Sequence, residues 1–267
     1  MAVFDQRVRV LVTRPGEQAR QWAQALTDQG IDAHPFPLME ILPLADPSAL
    51  QRVWQTVPMQ AAVMFVSANA VHHFMAQRPV GMVLHAQAWA TGPGTERALQ
   101  REGWPPALIR SPRGDAAHFD SESLWSRVAD EVRAWSTASA KPAQVLIVRG
   151  ADAAGRMAGR DWLAQRLQQS GVQVCECVAY RRAAACLDQQ ARTRALQALA
   201  EGDWWLFSST EAAQNLIEAL PQAPGHAARA LATHPRIAQR LLSQGWPRVQ
   251  LVPAELQAQA ASIKCLT

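Results

Sequence analysis

Apolar residues along this chain come in short runs, and a longer amphipathic stretch follows each one. Val10-Leu11-Val12 ends in the polar pair Thr13-Arg14, and a helical pattern carrying Trp22 and Leu26 then runs to Gly30. Val145-Leu146-Ile147-Val148 ends in Arg149-Gly150, and a similar pattern carrying Trp162 and Leu167 runs to Gly171. Short apolar runs bounded by polar turns predict buried strands, and the longer periodic stretches predict helices. Further strands are expected at 31–36, 61–66, 144–148, 172–179 and 204–207. Strand and helix alternating throughout predict α/β units with mainly parallel sheets. Residues 136–143 and 221–225 show no periodicity and read as surface connections.

The pattern is written twice. An offset of 142 residues lays Phe65-Val66-Ser67 on Phe207-Ser208-Ser209, and Ala90-Thr91-Gly92-Pro93 on Ala232-Thr233-His234-Pro235. The same offset lays Gly103-Trp104-Pro105 on Gly245-Trp246-Pro247. Solenoid repeats have periods of roughly 20–50 residues, so this is a duplicated lobe. Two similar lobes imply a cleft. Residues 37–43, where Leu38, Glu40 and Ile41 lie between Pro37 and Pro43, and residues 177–183 are the expected crossings. Side by side, two such extended segments would form a paired hinge.

In parallel sheets ligands bind beyond the carboxyl ends of the strands. The residues there are Thr13-Arg14, Ser67-Ala68-Asn69, Thr91-Gly92-Pro93, Arg149-Gly150, Ser208-Ser209-Thr210 and Thr233-His234-Pro235. All are small, hydroxylated, or cationic, apart from the turn prolines. Such residues cap helices, and the backbone N–H groups at helix starts can also bind carboxylate or phosphate. Both uses stay open.

Composition narrows the choice of ligand. A chain of 267 residues, 49% hydrophobic and 18% charged, has material for one large or two modest globular domains. No run approaches the ~18 apolar residues of a membrane span, and a membrane partner is not expected. Residues 1–10 carry Asp5, Arg7 and Arg9 and no apolar signal core, so a cytoplasmic location is expected. Cys175, Cys177, Cys186 and Cys265 do not form a disulfide framework, and no further ligands are spaced for a metal. A net charge of +4 and a pI near 9.2 favour an anionic partner. Nucleic acid is not expected, because the basic residues are scattered and do not interleave with the one tyrosine and six phenylalanines. A small polyanion fits better.

Few residues stand out chemically. Gly92-Pro93-Gly94 lacks the third glycine of a dinucleotide loop. His72 and His73 are adjacent on a predicted helix, point about 100° apart, and cannot chelate together. No Ser-His-Asp set, carboxylate pair or metal cluster emerges. Tyr180 is the only tyrosine and lies in the second crossing. A phenol can donate a proton while its ring packs on a ligand. Packing between lobes is the plainer use of the same side chain.

These residues together resemble the uroporphyrinogen-III synthase family. The matching pieces, in order, are Leu11-Val12-Thr13-Arg14-Pro15, Phe65-Val66-Ser67-Ala68-Asn69-Ala70-Val71, Ala90-Thr91-Gly92-Pro93-Gly94-Thr95 and Ser121-Glu122-Ser123-Leu124. Leu146-Ile147-Val148-Arg149-Gly150, Val178-Ala179-Tyr180-Arg181-Arg182, Phe207-Ser208-Ser209 and Thr233-His234-Pro235-Arg236-Ile237-Ala238 complete them. Each motif is weak alone; their order over nearly the whole chain is specific.

The resemblance implies two similar α/β lobes with mainly parallel sheets flanked by helices, joined by a two-stranded linker. One lobe would be 1–37 plus 180–267, the other 41–176, with linker strands at 37–43 and 177–183. The implied reaction cyclises the linear tetrapyrrole hydroxymethylbilane to uroporphyrinogen III, with loss of water and inversion of the last pyrrole ring, in haem biosynthesis. It needs no cofactor and no metal. By resemblance Tyr180 is the proton donor to the leaving hydroxyl. Ser67, Thr95, Ser209 and Thr233 would lie at substrate-contacting turns, together with Asn69, Ala70 and Ser121. Arg14, Arg149 and Gly150 would hold carboxylate arms. His234 and Arg236 stand where many relatives have glycine and a small residue. A monomer is expected, with the enzyme that makes hydroxymethylbilane as a candidate transient partner. The rival reading is a bilobal binding or sensor protein that closes on a small polyanion without catalysis.

Overall fold

The computed structural model describes residues 8–112, 121–138, 141–157, 162–221 and 225–266. The chain opens with β1 (Arg9–Val12), α1 (Gly16–Thr27), β2 (Asp32–Pro35), β3 (Met39–Pro43), α2 (Ser48–Trp54), β4 (Ala62–Phe65) and α3 (Ala68–Met75). Next come β5 (Gln87–Ala90), α4 (Pro93–Arg101), β6 (Ile109–Arg110), α5 (Ser121–Ala138), β7 (Gln144–Ala151), α6 (Trp162–Gln169) and β8 (Gln173–Ala184). The rest is α7 (Gln189–Glu201), β9 (Trp204–Phe207), α8 (Thr210–Ala219), β10 (Arg229–Ala232), α9 (Pro235–Ser243), β11 (Arg248–Leu251) and α10 (Leu256–Lys264). It divides into two compact units, Met1–Ile41 with Ala183–Thr267, and Leu42–Arg182.

The discontinuous unit holds a sheet in the order β11-β10-β9-β1-β2, every pair parallel. Val10, Val12 and Leu206 pack on one side with Leu26 and Ile263. Leu11, Trp205 and Phe207 pack on the other with Ile237 and Leu241. Burial on both faces is why these strands read as continuous apolar runs. The continuous unit is built around a sheet in the order β3-β8-β7-β4-β5-β6, parallel from β8 through β6. Met64, Trp89 and Ile147 pack there against Leu124 and Val128 of α5 and Leu167 of α6.

The offset of 142 holds at the level of single residues. It carries β4 onto β9, β5 onto β10 and α4 onto α9 end to end, and the pairing of Ala62 with Gln87 onto that of Trp204 with Arg229. Gly103 and Gly245, each at φ 81°, close α4 and α9 in the left-handed conformation that glycine adopts without a side-chain clash. The next residue then drops into the core: Trp104 meets Phe65 edge-on at 5.6 Å, and Trp246 meets Phe207 edge-on at 5.7 Å.

Some expectations need correction. Arg149 and Gly150 do not end a strand before a helix; β7 runs on to Ala151. A bulge between them restores the ladder, pairing Gly150 with Tyr180 and Ala151 with Arg181. β8 likewise extends past residue 179 to Ala184, between neighbours β7 and β3. Thr13 does not cap a helix, because its Oγ1 donates to the Leu206 carbonyl at 2.8 Å. Residues 136–138, expected in a connection, form the last turn of α5; residues 139–140 and 222–224 lie outside the described residues.

Candidate active site

The carboxyl edge of the sheet in the continuous unit assembles one group of the candidate residues. Ser67 follows β4 in an extended conformation and caps α3, its Oγ accepting from the Ala70 N–H at 3.2 Å. Tyr180, on β8, is buried, and its Oη lies 3.2 Å from the same Ser67 Oγ. A hydroxyl oxygen that already accepts a backbone N–H keeps its own proton to give, so the arrangement favours Ser67 donating to the phenol. Gly150 makes the contact possible. A Cβ added there would stand 2.5 Å from Tyr180 Cζ and 2.9 Å from its hydroxyl, well inside van der Waals distance. His73, on α3, stacks on the phenol with ring centroids 5.5 Å apart and planes inclined by 24°. Burial first, and then the neighbouring His72, hold the His73 imidazole below its usual pKa.

Other candidates in this unit are placed around that group. Arg149 is buried, with Nη2 2.9 Å from Glu176 Oε1, an ion pair that ties β7 to β8 beside the bulge. Asn69 lies half-buried in the first turn of α3. Thr95 is buried in the first turn of α4, its N–H donating to the Gly92 carbonyl at 3.1 Å. Pro93 occupies the first position of α4, where a missing N–H costs nothing. Ser121 opens α5 and is half-buried. Cys177 is buried, and desolvation, followed by Glu176, pushes its thiol up to about 12. Among the described residues no group of three or more His, Cys, Asp or Glu is placed to hold a metal ion.

In the discontinuous unit, Arg14, Ser209 and Thr233 lie past the carboxyl ends of the neighbouring strands β1, β9 and β10. Ser209 repeats the role of Ser67, capping α8 by accepting from the Glu211 N–H at 3.1 Å. The Thr233 N–H donates to the Phe207 carbonyl at 3.1 Å, and His234 rather than Thr233 caps α9, its Nδ1 accepting from the Arg236 N–H. The Arg14 guanidinium lies 3.8 Å over the Trp22 ring and has no ion pair among the described residues. Burial brings its pKa down to about 10, so it stays a cation at neutral pH, desolvated on one side.

The profile of the family described as Uroporphyrinogen-III synthase HemD matches residues 20–261. The chain belongs to the uroporphyrinogen-III synthase family. A uroporphyrinogen-III synthase of Chlorobaculum parvum is 25% identical over 224 residues, covering 79% of this chain and 78% of that one. The crystal structure of the Helicobacter pylori uroporphyrinogen-III synthetase covers 98% of this chain and 100% of its own at a TM-score of 0.60 and 16% identity. A mutant uroporphyrinogen-III synthase of Thermus thermophilus covers 97% and 98% at a TM-score of 0.56 and 18% identity. These two share the fold. Uroporphyrinogen-III synthases cyclise hydroxymethylbilane in haem biosynthesis, and membership makes this chain a lyase of that class rather than a passive binder.

Within the uroporphyrinogen-III synthase frame, two features had no signal in the sequence. His73 carried interest only as half of a histidine pair, yet His72 turns to Glu102 at 3.1 Å and His73 to Tyr180. Glu176 was not singled out, although it anchors Arg149. Both contacts join segments more than twenty residues apart in the chain. Among the described residues no helix is long and apolar enough to cross a membrane.

Proposed function

We propose that this chain converts hydroxymethylbilane to uroporphyrinogen III, with Tyr180 giving a proton to the departing hydroxyl. The observation that carries the residue assignment is the 3.2 Å contact of Tyr180 Oη with Ser67 Oγ, in a seat opened by Gly150. As a pyrrole nitrogen pushes electrons toward the methylene carbon, the C–O bond breaks and the phenol passes its proton to the leaving oxygen. Water departs, and the phenolate left on Tyr180 accepts a hydrogen bond from the Ser67 hydroxyl. General acid assistance of this kind contributes roughly 10²–10⁴-fold.

The substrate's acetate and propionate arms need several separate anion sites rather than one arginine cluster. Arg14 is the strongest, a one-sidedly desolvated cation already oriented by Trp22. The starts of α3, α4, α5, α8 and α9, with Asn69, Ala70, Thr95, Ser121, Ser209 and Thr233, supply the rest, each worth about 0.3–1 kcal/mol. Arg149, bound to Glu176, and Gly150 serve this reading by shaping the Tyr180 seat. The two compact units are read as the two lobes of the family, acting as a cytoplasmic monomer that takes its unstable substrate from the enzyme producing it.

The test is to incubate the protein with freshly generated hydroxymethylbilane and separate the product isomers. Type III is expected. Type I alone, the product of uncatalysed closure, would falsify the proposal.

A further inference from the structure

Holding the Tyr180 hydroxyl in place does not yet aim its proton. The phenolic oxygen lies on the axis of the last side-chain torsion, so turning the ring about that axis leaves Oη where it is. The hydrogen bond to Ser67 therefore fixes the position of Oη without fixing the ring plane. The plane matters because a phenolic O–H prefers to lie within it, where the oxygen lone pair conjugates with the ring. That terminal torsion is broad and soft in tyrosine. Gly150 admits the phenol by lacking a Cβ and puts no side chain against it.

His73 is the aromatic group lying nearly parallel to the phenol, at a centroid distance of 5.5 Å and an inclination of 24°. These values fall within the range of offset-stacked rings. The imidazole is held below its usual pKa, so a neutral ring lies on the phenol at neutral pH. His73 also belongs to the helix that Ser67 caps, so one rigid element supplies both the partner of Oη and the cover of the ring.

We propose that His73 is a positioning residue for the reaction: its ring sets the plane of Tyr180, and so the direction in which the phenol offers its proton. This rests on the reading of Tyr180 as proton donor. His73 itself exchanges no proton with substrate, and what its place demands is a flat ring. His73→Phe should therefore preserve function where His73→Ala does not.

Because Tyr180 is the only tyrosine, ring-labelled tyrosine gives an NMR spectrum of this one side chain. We expect slow ring flipping in the wild type and in His73→Phe, and fast flipping in His73→Ala. Turnover should follow the same order: kcat falls about 10- to 100-fold in His73→Ala with KM little changed, as for a misaimed group, and recovers in His73→Phe. Unchanged flipping and kcat in His73→Ala overturn the proposal. A His73→Phe enzyme as slow as His73→Ala overturns it too, since the imidazole nitrogens would then be what counts. Wild-type turnover in Tyr180→Phe instead removes the donor reading, and this role with it, while the flipping rates still report whether His73 holds the ring.

Discussion

Tyr180 can act as an acid only if its hydroxyl is seated and accompanied, and one absent methyl group provides the seat. Gly150 is extended, not left-handed, so glycine is needed here for space alone. Gly150→Ala should push the phenol off Ser67 and cost about 1–3 kcal/mol through overpacking. The loss would be read as a lower urea midpoint, together with a kcat reduced at least as far as in His73→Ala. A Gly150→Ala enzyme with unchanged kcat would show that the seat is irrelevant to the chemistry. Tyr180→Phe keeps the packing and removes the proton, so the urea midpoint should hardly move while turnover drops about 10²-fold, the low end for acid assistance because the pyrrole helps expel hydroxide. Its remaining product should still be mainly type III, since ring inversion depends on how the substrate is folded. A slow variant yielding type I would mean that Tyr180 shapes the substrate instead. Composition was enough to single out Tyr180, and the duplicated motif enough to single out Ser67. Their contact, across 113 positions of sequence, was not legible.

Helix starts carry two kinds of work in this chain, and the duplicated caps separate them. Ser67 and Ser209 begin α3 and α8 in the same way, each accepting a backbone N–H within its own first turn. Replacing either with alanine should cost roughly 1 kcal/mol, the usual worth of a cap. Only Ser67 also meets Tyr180. Ser67→Ala should therefore lower kcat as well, whereas Ser209→Ala should act on stability and KM. Equal kcat losses in the two variants, measured beside chemical denaturation, would sink the distinction. The caps and the prolines at the starts of α4 and α9 could be read locally, because capping is decided within a single turn. The continuation of β7 through Arg149 and Gly150 could not, because a bulge is set by the partner strand.

Duplication is the largest feature of the molecule, and it equips each unit with its own core. Trp104 and Trp246 occupy matching places behind matching glycines and touch matching phenylalanines. Trp104→Ala should cost about 3–5 kcal/mol, as expected for truncating a fully buried aromatic. Hydrogen exchange should then accelerate across residues 42–182 and change little across 183–267, because Trp104 and Trp246 belong to different compact units. Acceleration spread evenly over both would mean that the units unfold as one.

By itself the sequence determined the alternation of strand and helix, the parallel sheets buried on both faces, the repeat and the family. Hydrophobic period and burial are local properties, and a duplicated register shows itself by simple offset. Tertiary structure alone decided which candidates meet. Gly150 lies under Tyr180 because one extra residue in β8, Ala179, shifts its pairing with β7. Ser67 and His73 reach the same phenol because α3 follows β4, which pairs with β7 on the side away from β8. Strand order and bulge position follow from the summed packing of a whole sheet, and no window of neighbouring residues contains that sum.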